Sequence, residues 1–404
     1  MAVLALAGAA VLIGELRQPV DGSPDGVLAR QVLDDCADRP KAERSECYQD
    51  ALKDRETKAG VGGAMGLLKA MARADRQVER EGHAFAHGIG INGYLLAEDV
   101  SVPFGQCTSD FASGCNHGVI QAYLESQDAV DSVSANALCA PYRTETGSRA
   151  YLFQCVHGMG HGFQMMYSGD LPKALSSCDL LADGWDRESC YGGAFMENIM
   201  GEIAPHHPAT KLVESHQHEH PGQARFKALD STDLLYPCSI MEQKFLRPCY
   251  EIQTSAILYF AKRSLPKAAA ACGTAPEDMQ PICFAGLGRD ISSRAVRDPA
   301  KSIRYCQKVG ERHVGWCYFG VAKALIDWGS DPRAGMDMCR RLGEVPGWEQ
   351  CYQGVGEQLA NLIVDRDRRI RICEEAARPE AVTVCRLSAA VPPLETYRTD
   401  TLKS

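Results

Sequence analysis

The sequence predicts an all-α fold, a disulfide-stapled solenoid of helical hairpins wound into a superhelix, and three observations carry that expectation. First, the 18 cysteines fall into nine successive pairs, most of them eleven or twelve residues apart. Second, the pairs themselves recur: the steps from Cys238 to Cys272, Cys306, Cys339 and Cys373 are 34, 34, 33 and 34 residues. A period in that range marks units that bury their apolar face only against their neighbours. Third, the text around each pair repeats. A proline-bearing turn stands six or seven residues before the first cysteine, at Pro172, Pro266, Pro299 and Pro332, and an aromatic residue with a nearby glycine follows the second, as in "CYGG", "CFAG", "CYFG" and "CYQG".

Each unit then reads as a short helix A ending at the first cysteine, a loop, and a longer helix B beginning at the second. Asp298 and Asp331 are N-caps, with Pro299 and Pro332 at the first helical position, where a missing N–H costs nothing. Val321, Leu325 and Ile326 have helical spacing in a B segment. Short helices are marginal alone, so a bridge between A and B substitutes for thick packing. In the chain-entropy model each such bridge stabilises the fold by roughly 3 kcal/mol.

Along the chain, residues 1–26 read as a signal peptide or membrane anchor plus linker, because "AVLALAGAAVLIG" at 2–14 is apolar and "RQPVDGSPDG" follows it. Residues 27–200 form histidine-containing repeats, 201–237 a histidine-rich insertion, 238–390 further stapled repeats, and 391–404 a tail. The array is expected to be elongated.

Connectivity does not follow from sequence alone. Sequential pairing is the expectation: Cys36–Cys47, Cys107–Cys115, Cys139–Cys155, Cys178–Cys190, Cys238–Cys249, Cys272–Cys283, Cys306–Cys317, Cys339–Cys351 and Cys373–Cys385. The absence of C-x-x-C and C-x-x-C-H removes the zinc-ribbon, thioredoxin-like and c-type haem signatures. Disulfides place the protein in an oxidising compartment, exported to the periplasm or the extracellular space. Over residues 139–390 the repeat style resembles secreted cysteine-rich Sel1-like proteins, relatives of tetratricopeptide repeats. Those proteins space their cysteines more closely and carry a Leu-Gly-x-x-Tyr pattern absent here. The resemblance implies an α-helical superhelix. Separately, a protein or peptide on the face of that superhelix is the expected partner.

A net charge of −9 argues against nucleic acid and against an anionic membrane surface as partners. The run "DRDRRIR" at 365–371 reads as a solvated helix face. There is no G-x-x-x-x-G-K-[ST] loop and no G-x-S-x-G elbow, and oxidised cysteines leave no Cys/His nucleophile.

Histidine is the one lead to chemistry. Five of the 11 histidines lie in matching contexts, "GHAFAHGIG" (His83, His87), "CNHGVI" (His117) and "CVHGMGHG" (His157, His161). His117 and His157 stand two residues after a second cysteine. His87 stands two residues after Phe85, which replaces the cysteine. Equivalent points of three B helices thus carry imidazoles, and two i,i+4 pairs add one each from the same face. A divalent metal, whether zinc, copper or iron, is the expected occupant. Methionines 159, 165, 166, 196 and 200 lean toward copper, although methionine at helical spacing is commonly core. Gly88, Gly90, Gly118, Gly158 and Gly160 each cost about 1 kcal/mol in a helix interior, which makes sense if a backbone or a ligand approaches closely. Such glycines would also admit the flat ring of a haem.

Glu197, seven residues after Cys190, is a candidate carboxylate ligand or general base. Glu98 reads as a solvated helix end, His313 as an exposed loop residue, and His206, His207, His216, His218 and His220 as a solvated tract with loose metal affinity or a lid. Two functions follow: a metalloenzyme acting by oxidation or hydrolysis, or an interaction scaffold with a structural metal or none.

Overall fold

A computed structural model describes residues 22–144, 148–203, 226–329 and 331–390. The expectations for the N-terminal apolar segment, the His206–His220 tract and the tail beyond 390 fall outside those residues or nearly so. The described residues form 18 α-helices and no strand. In chain order they begin with α1 (Pro24–Asp35), α2 (Lys41–Ala74), α3 (Arg76–Ala97), α4 (Ser101–Gln106), α5 (Gly114–Glu125), α6 (Ser132–Cys139), α7 (Ala150–Met166), α8 (Leu171–Cys178) and α9 (Gly184–Ile203). They continue with α10 (Gln243–Phe260), α11 (Leu265–Cys272), α12 (Gln280–Arg294), α13 (Pro299–Cys306), α14 (Val314–Gly329), α15 (Pro332–Leu342), α16 (Trp348–Leu362), α17 (Arg366–Cys373) and α18 (Pro379–Ala390). No described helix is long and apolar enough to cross a membrane.

All nine disulfides form with the sequential pairing, and no cysteine is left over. The A helices end at or close to their cysteine. The B helices begin earlier than the sequence suggested, so that the second cysteine lies inside the helix. In α9 the reason is local: the Asp183 side chain accepts hydrogen bonds from the backbone N–H groups of Trp185 and Asp186. A cap there starts the helix a turn and a half before Cys190. Asp298 and Asp331 cap α13 and α15 as expected.

The B helices pack one after another: α3 on α5, α5 on α7, α7 on α9, α9 on α10, α10 on α12, and onward through α14 and α16 to α18. Glycines set the spacing. A Cβ on Gly118, Gly193, Gly286, Gly320 or Gly354, each three residues after a second cysteine, would lie 1.8–2.5 Å from a carbonyl oxygen of the preceding B helix. A Cβ on Gly90, Gly160, Gly288 or Gly356 would lie 2.0–2.4 Å from the carbonyl oxygen of the next unit's cysteine. Only glycine permits helix backbones to meet this closely.

Segments far apart in the chain also meet. The Arg149 N–H donates to the Leu362 carbonyl at 2.7 Å, Trp185 Nε1–H donates to Asn361 Oδ1 at 3.4 Å, and Arg297 pairs with Glu79 at 3.4 Å. Helix α14 also packs on the turn at Asp110–Ser113.

Three of the connections from B to the next A share one feature, two successive residues at positive φ: Ser168 and Gly169, Lys262 and Arg263, Val296 and Arg297. A β-branched residue is strained there, and Val296 sits at φ 55° with its side chain largely exposed. Replacing Val296 with asparagine, which tolerates this region, should therefore stabilise the protein by about 0.5–1 kcal/mol. A rise in melting temperature checks it, and a fall would show that Val296 makes packing contacts worth more than the strain.

Candidate metal centre

The three consecutive B helices α3, α5 and α7 bring the five histidines together. His83 and His87 come from α3, His117 from α5, and His157 and His161 from α7. Ring centroids lie 4.7 Å apart for His83–His87, 5.5 Å for His87–His117, 5.1 Å for His117–His161 and 5.1 Å for His157–His161. His87 and His161 are fully buried, His117 and His157 nearly so, and His83 half-buried. The ligating atoms of His83, His87 and His117 all lie within 4.8 Å of one another.

Hydrogen bonds fix which nitrogen carries the proton in four of the rings. His83 Nδ1 donates to the Phe111 carbonyl at 2.7 Å, His157 Nδ1 to the Ser189 carbonyl at 3.2 Å, and His161 Nδ1 to Glu197 Oε2 at 2.8 Å. Each acceptor leaves Nε2 as the nitrogen with the lone pair. His117 is turned the other way: Nε2 donates to Gln154 Oε1 at 2.7 Å, and the buried Nδ1 accepts no hydrogen bond from the described residues. An outer partner of this kind is what orients a histidine toward a metal and raises its basicity. The donor set suits zinc, copper or iron.

The carbonyl that holds His83 comes from a strained segment. Phe111, Ala112 and Ser113 lie at φ 57°, 53° and 57°, a left-handed run without a glycine. The Phe111 ring fills the space where Gly82 lacks a side chain. Residues held this way cluster where geometry matters for function.

Burial, and then repulsion from His161 and its neighbours, holds His117 well below the usual histidine range. Burial and His161 push His157 down to about 3. Both rings are therefore neutral at physiological pH, the form that offers a lone pair.

Glu197 is buried, and its oxygen orients His161. Its contact with the centre runs through that ring. The space beside Gly90, Gly118 and Gly160 is occupied by neighbouring backbone and that beside Gly158 by Ile120, whereas nothing lies within 4 Å of a Cβ placed at Gly88. Met159 belongs to the hydrophobic core. Glu98 is exposed at a helix end as expected, whereas His313 is half-buried and stacks on Phe284 with centroids 4.1 Å apart.

Sequence reasoning missed a second polar group beside the first. Lys323 is buried, with Nζ donating to Glu357 Oε1 at 2.6 Å and Glu251 Oε1 at 3.2 Å. Arg247 reaches Glu357 at 3.5 Å and Glu188 at 3.7 Å. Burial pushes Glu251 up, but Lys323 and Arg247 outweigh it and hold it below the usual carboxylate range. Burial raises Glu188 to about 7 against the pull of Arg247. The same register could have revealed the group. Glu188 and Arg247 stand two residues before a second cysteine, Glu251 two after, and Lys323 and Glu357 six after, matching His117, His157 and His161.

The two groups set opposite pH dependences in metal-free protein. His157 takes up its proton near 6.5 when unfolded and only near 3 when folded, so stability falls as pH drops through that window. Glu188 and the buried Glu56, raised from 4.5 to about 7, keep their protons in the fold after the unfolded chain has lost them. Stability contributed by these two therefore falls as pH rises from about 4.5 to about 7. Glu188→Gln should flatten only that second limb in urea denaturation. An unchanged slope between those pH values would show that Glu188 is ionised in the fold.

Comparison with family models, curated proteins and solved structures finds no match for this chain.

Proposed function

We propose that the chain is an exported helical-repeat metalloprotein whose five histidines hold a transition metal ion for oxidation or hydrolysis. The observation that carries this reading is the trio of His83, His87 and His117 ligand atoms within 4.8 Å, walled by two further imidazoles. A metal there would supply Lewis-acid or one-electron chemistry. Export is supported by nine disulfides. A solenoid of Sel1-like or tetratricopeptide-like style is supported by the serial packing of B helices.

Protein purified from an oxidising compartment without a His-tag should carry zinc, copper or iron by elemental analysis. Finding none, even after loading with each metal, would sink the proposal. The alternative is a scaffold with a structural metal, and the full burial of His87 and His161 favours it. Azide added to the copper- or cobalt-loaded protein separates the two: an open catalytic site changes its absorption spectrum, a closed structural site does not.

A further inference from the structure

His83 differs from the other imidazoles of the centre in two respects. It keeps partial solvent access, whereas the other four rings are buried. The carbonyl that accepts its Nδ1–H belongs to a turn, at Phe111, while the partners of His117, His157 and His161 stand on helices α7 and α9.

That turn needs outside support. Phe111, Ala112 and Ser113 all lie in the left-handed region, which a residue with a side chain enters at a cost. Such a run persists only where its surroundings over-determine it. Three neighbours do this. From α2, Lys69 Nζ pairs with Asp110 at 2.9 Å. On α3, the Phe111 ring lies over Gly82, where a Cβ would come within 2.4 Å of it. The third is α14, more than 200 positions further along the chain, which packs on Asp110–Ser113.

A second contact from the same distant region lands on α3 itself. Arg297 Nη2–H donates to Glu79 Oε1 at 3.4 Å, and the Arg297 guanidinium lies 3.5 Å from the centre of the Trp328 ring on α14. Glu79 stands four residues before His83, one turn away on the same helix face. Arg297 and α14 thus hold both the helix that carries His83 and the turn that orients its ring.

We infer that this contact is a latch that regulates the metal centre. Closed, it keeps His83 in the ligand set. Open, it lets the strained turn relax and the half-buried ring swing toward solvent, so the centre exchanges its metal. The inference rests on the metalloprotein reading and names how that site is controlled. Linkage makes the effect mutual: whatever holds the latch shut raises metal affinity, and bound metal holds the latch shut by the same factor. The turn is the element whose two states both sites bias.

Amide hydrogen exchange of full-length, disulfide-intact protein, with and without zinc, reads the latch from the metal side. Zinc should slow exchange about tenfold at Asp110–Ser113, in α14 and at Val296–Arg297, and leave α18 unchanged. Chelator competition reads it from the other side. Arg297→Gln should weaken zinc binding about tenfold, and Arg297→Lys, which keeps a charge beside Glu79, should recover part of the loss. Copper or iron(II) replaces zinc as the probe if the wild type holds only that metal. Metal bound with no slowing at α14, slowing spread evenly to α18, or equal affinity in Arg297→Gln and wild type would overturn the latch and leave the metal reading standing. The exchange comparison decides on wild type alone even if a variant misfolds. A wild type that takes up neither zinc, copper nor iron overturns both.

Discussion

Gly160→Ala should destabilise the protein by about 3 kcal/mol or more, whereas Gly88→Ala on α3 should be neutral or stabilising by up to about 1 kcal/mol. Both glycines are helical and beside the histidine centre, so helix propensity alone favours alanine at each. The difference is what a methyl group would meet. At Gly160 it would lie 2.0 Å from the Cys190 carbonyl oxygen and 2.5 Å from the Ala194 nitrogen, both backbone atoms of α9. Neither can rotate away, so α7 and α9 must separate. The Cys178–Cys190 bridge ties α9 to α8, which resists that movement. At Gly88 nothing lies within 4 Å. Urea denaturation of the two variants checks the contrast, and equal effects would mean that the B helices are not held at the spacing described.

This contrast shows where the sequence was legible. Period and spacing pointed to the bridges and to the order of units, because a cysteine pair recurs in every unit and a proline turn in four of them. They could not tell Gly88 from Gly160, since the distinction lies in which neighbour each faces. The meeting of Arg149 with Leu362 was hidden for the same reason: it joins residues more than 200 positions apart, and no local motif encodes it.

The site was legible in its ligands and not in their supports. His83, His87, His117, His157 and His161 repeat a register, two residues before a cysteine position, two after, or six after, and a register can be read. Their hydrogen-bond partners include the backbone carbonyls of Phe111 and Ser189, and a carbonyl leaves no mark on a sequence. The charged group at Glu188, Arg247, Glu251, Lys323 and Glu357 obeys the same register. It was overlooked because its residue types vary from unit to unit, while histidine stands out by rarity.

Replacing His87 and His117 by alanine should abolish metal retention while leaving helicity largely intact. Two of the three imidazoles whose ligand atoms lie within 4.8 Å of one another would be gone, and His83 alone cannot hold an ion against solvent. The fold should survive because Cys107–Cys115 and Cys139–Cys155 still tie α5 and α7 to their partners. His157→Ala with His161→Ala should weaken retention as well, and Glu197→Gln more mildly, by about 10–100-fold. In that variant the side chain keeps its shape, but it no longer presents a charge to His161 Nδ1–H at 2.8 Å, so the ring loses basicity. Alanine at His206 and His207 should change little. Elemental analysis with circular dichroism reads all four. Metal bound stoichiometrically to the His87 and His117 double variant would assign these rings to helix packing, and the scaffold reading would then stand alone.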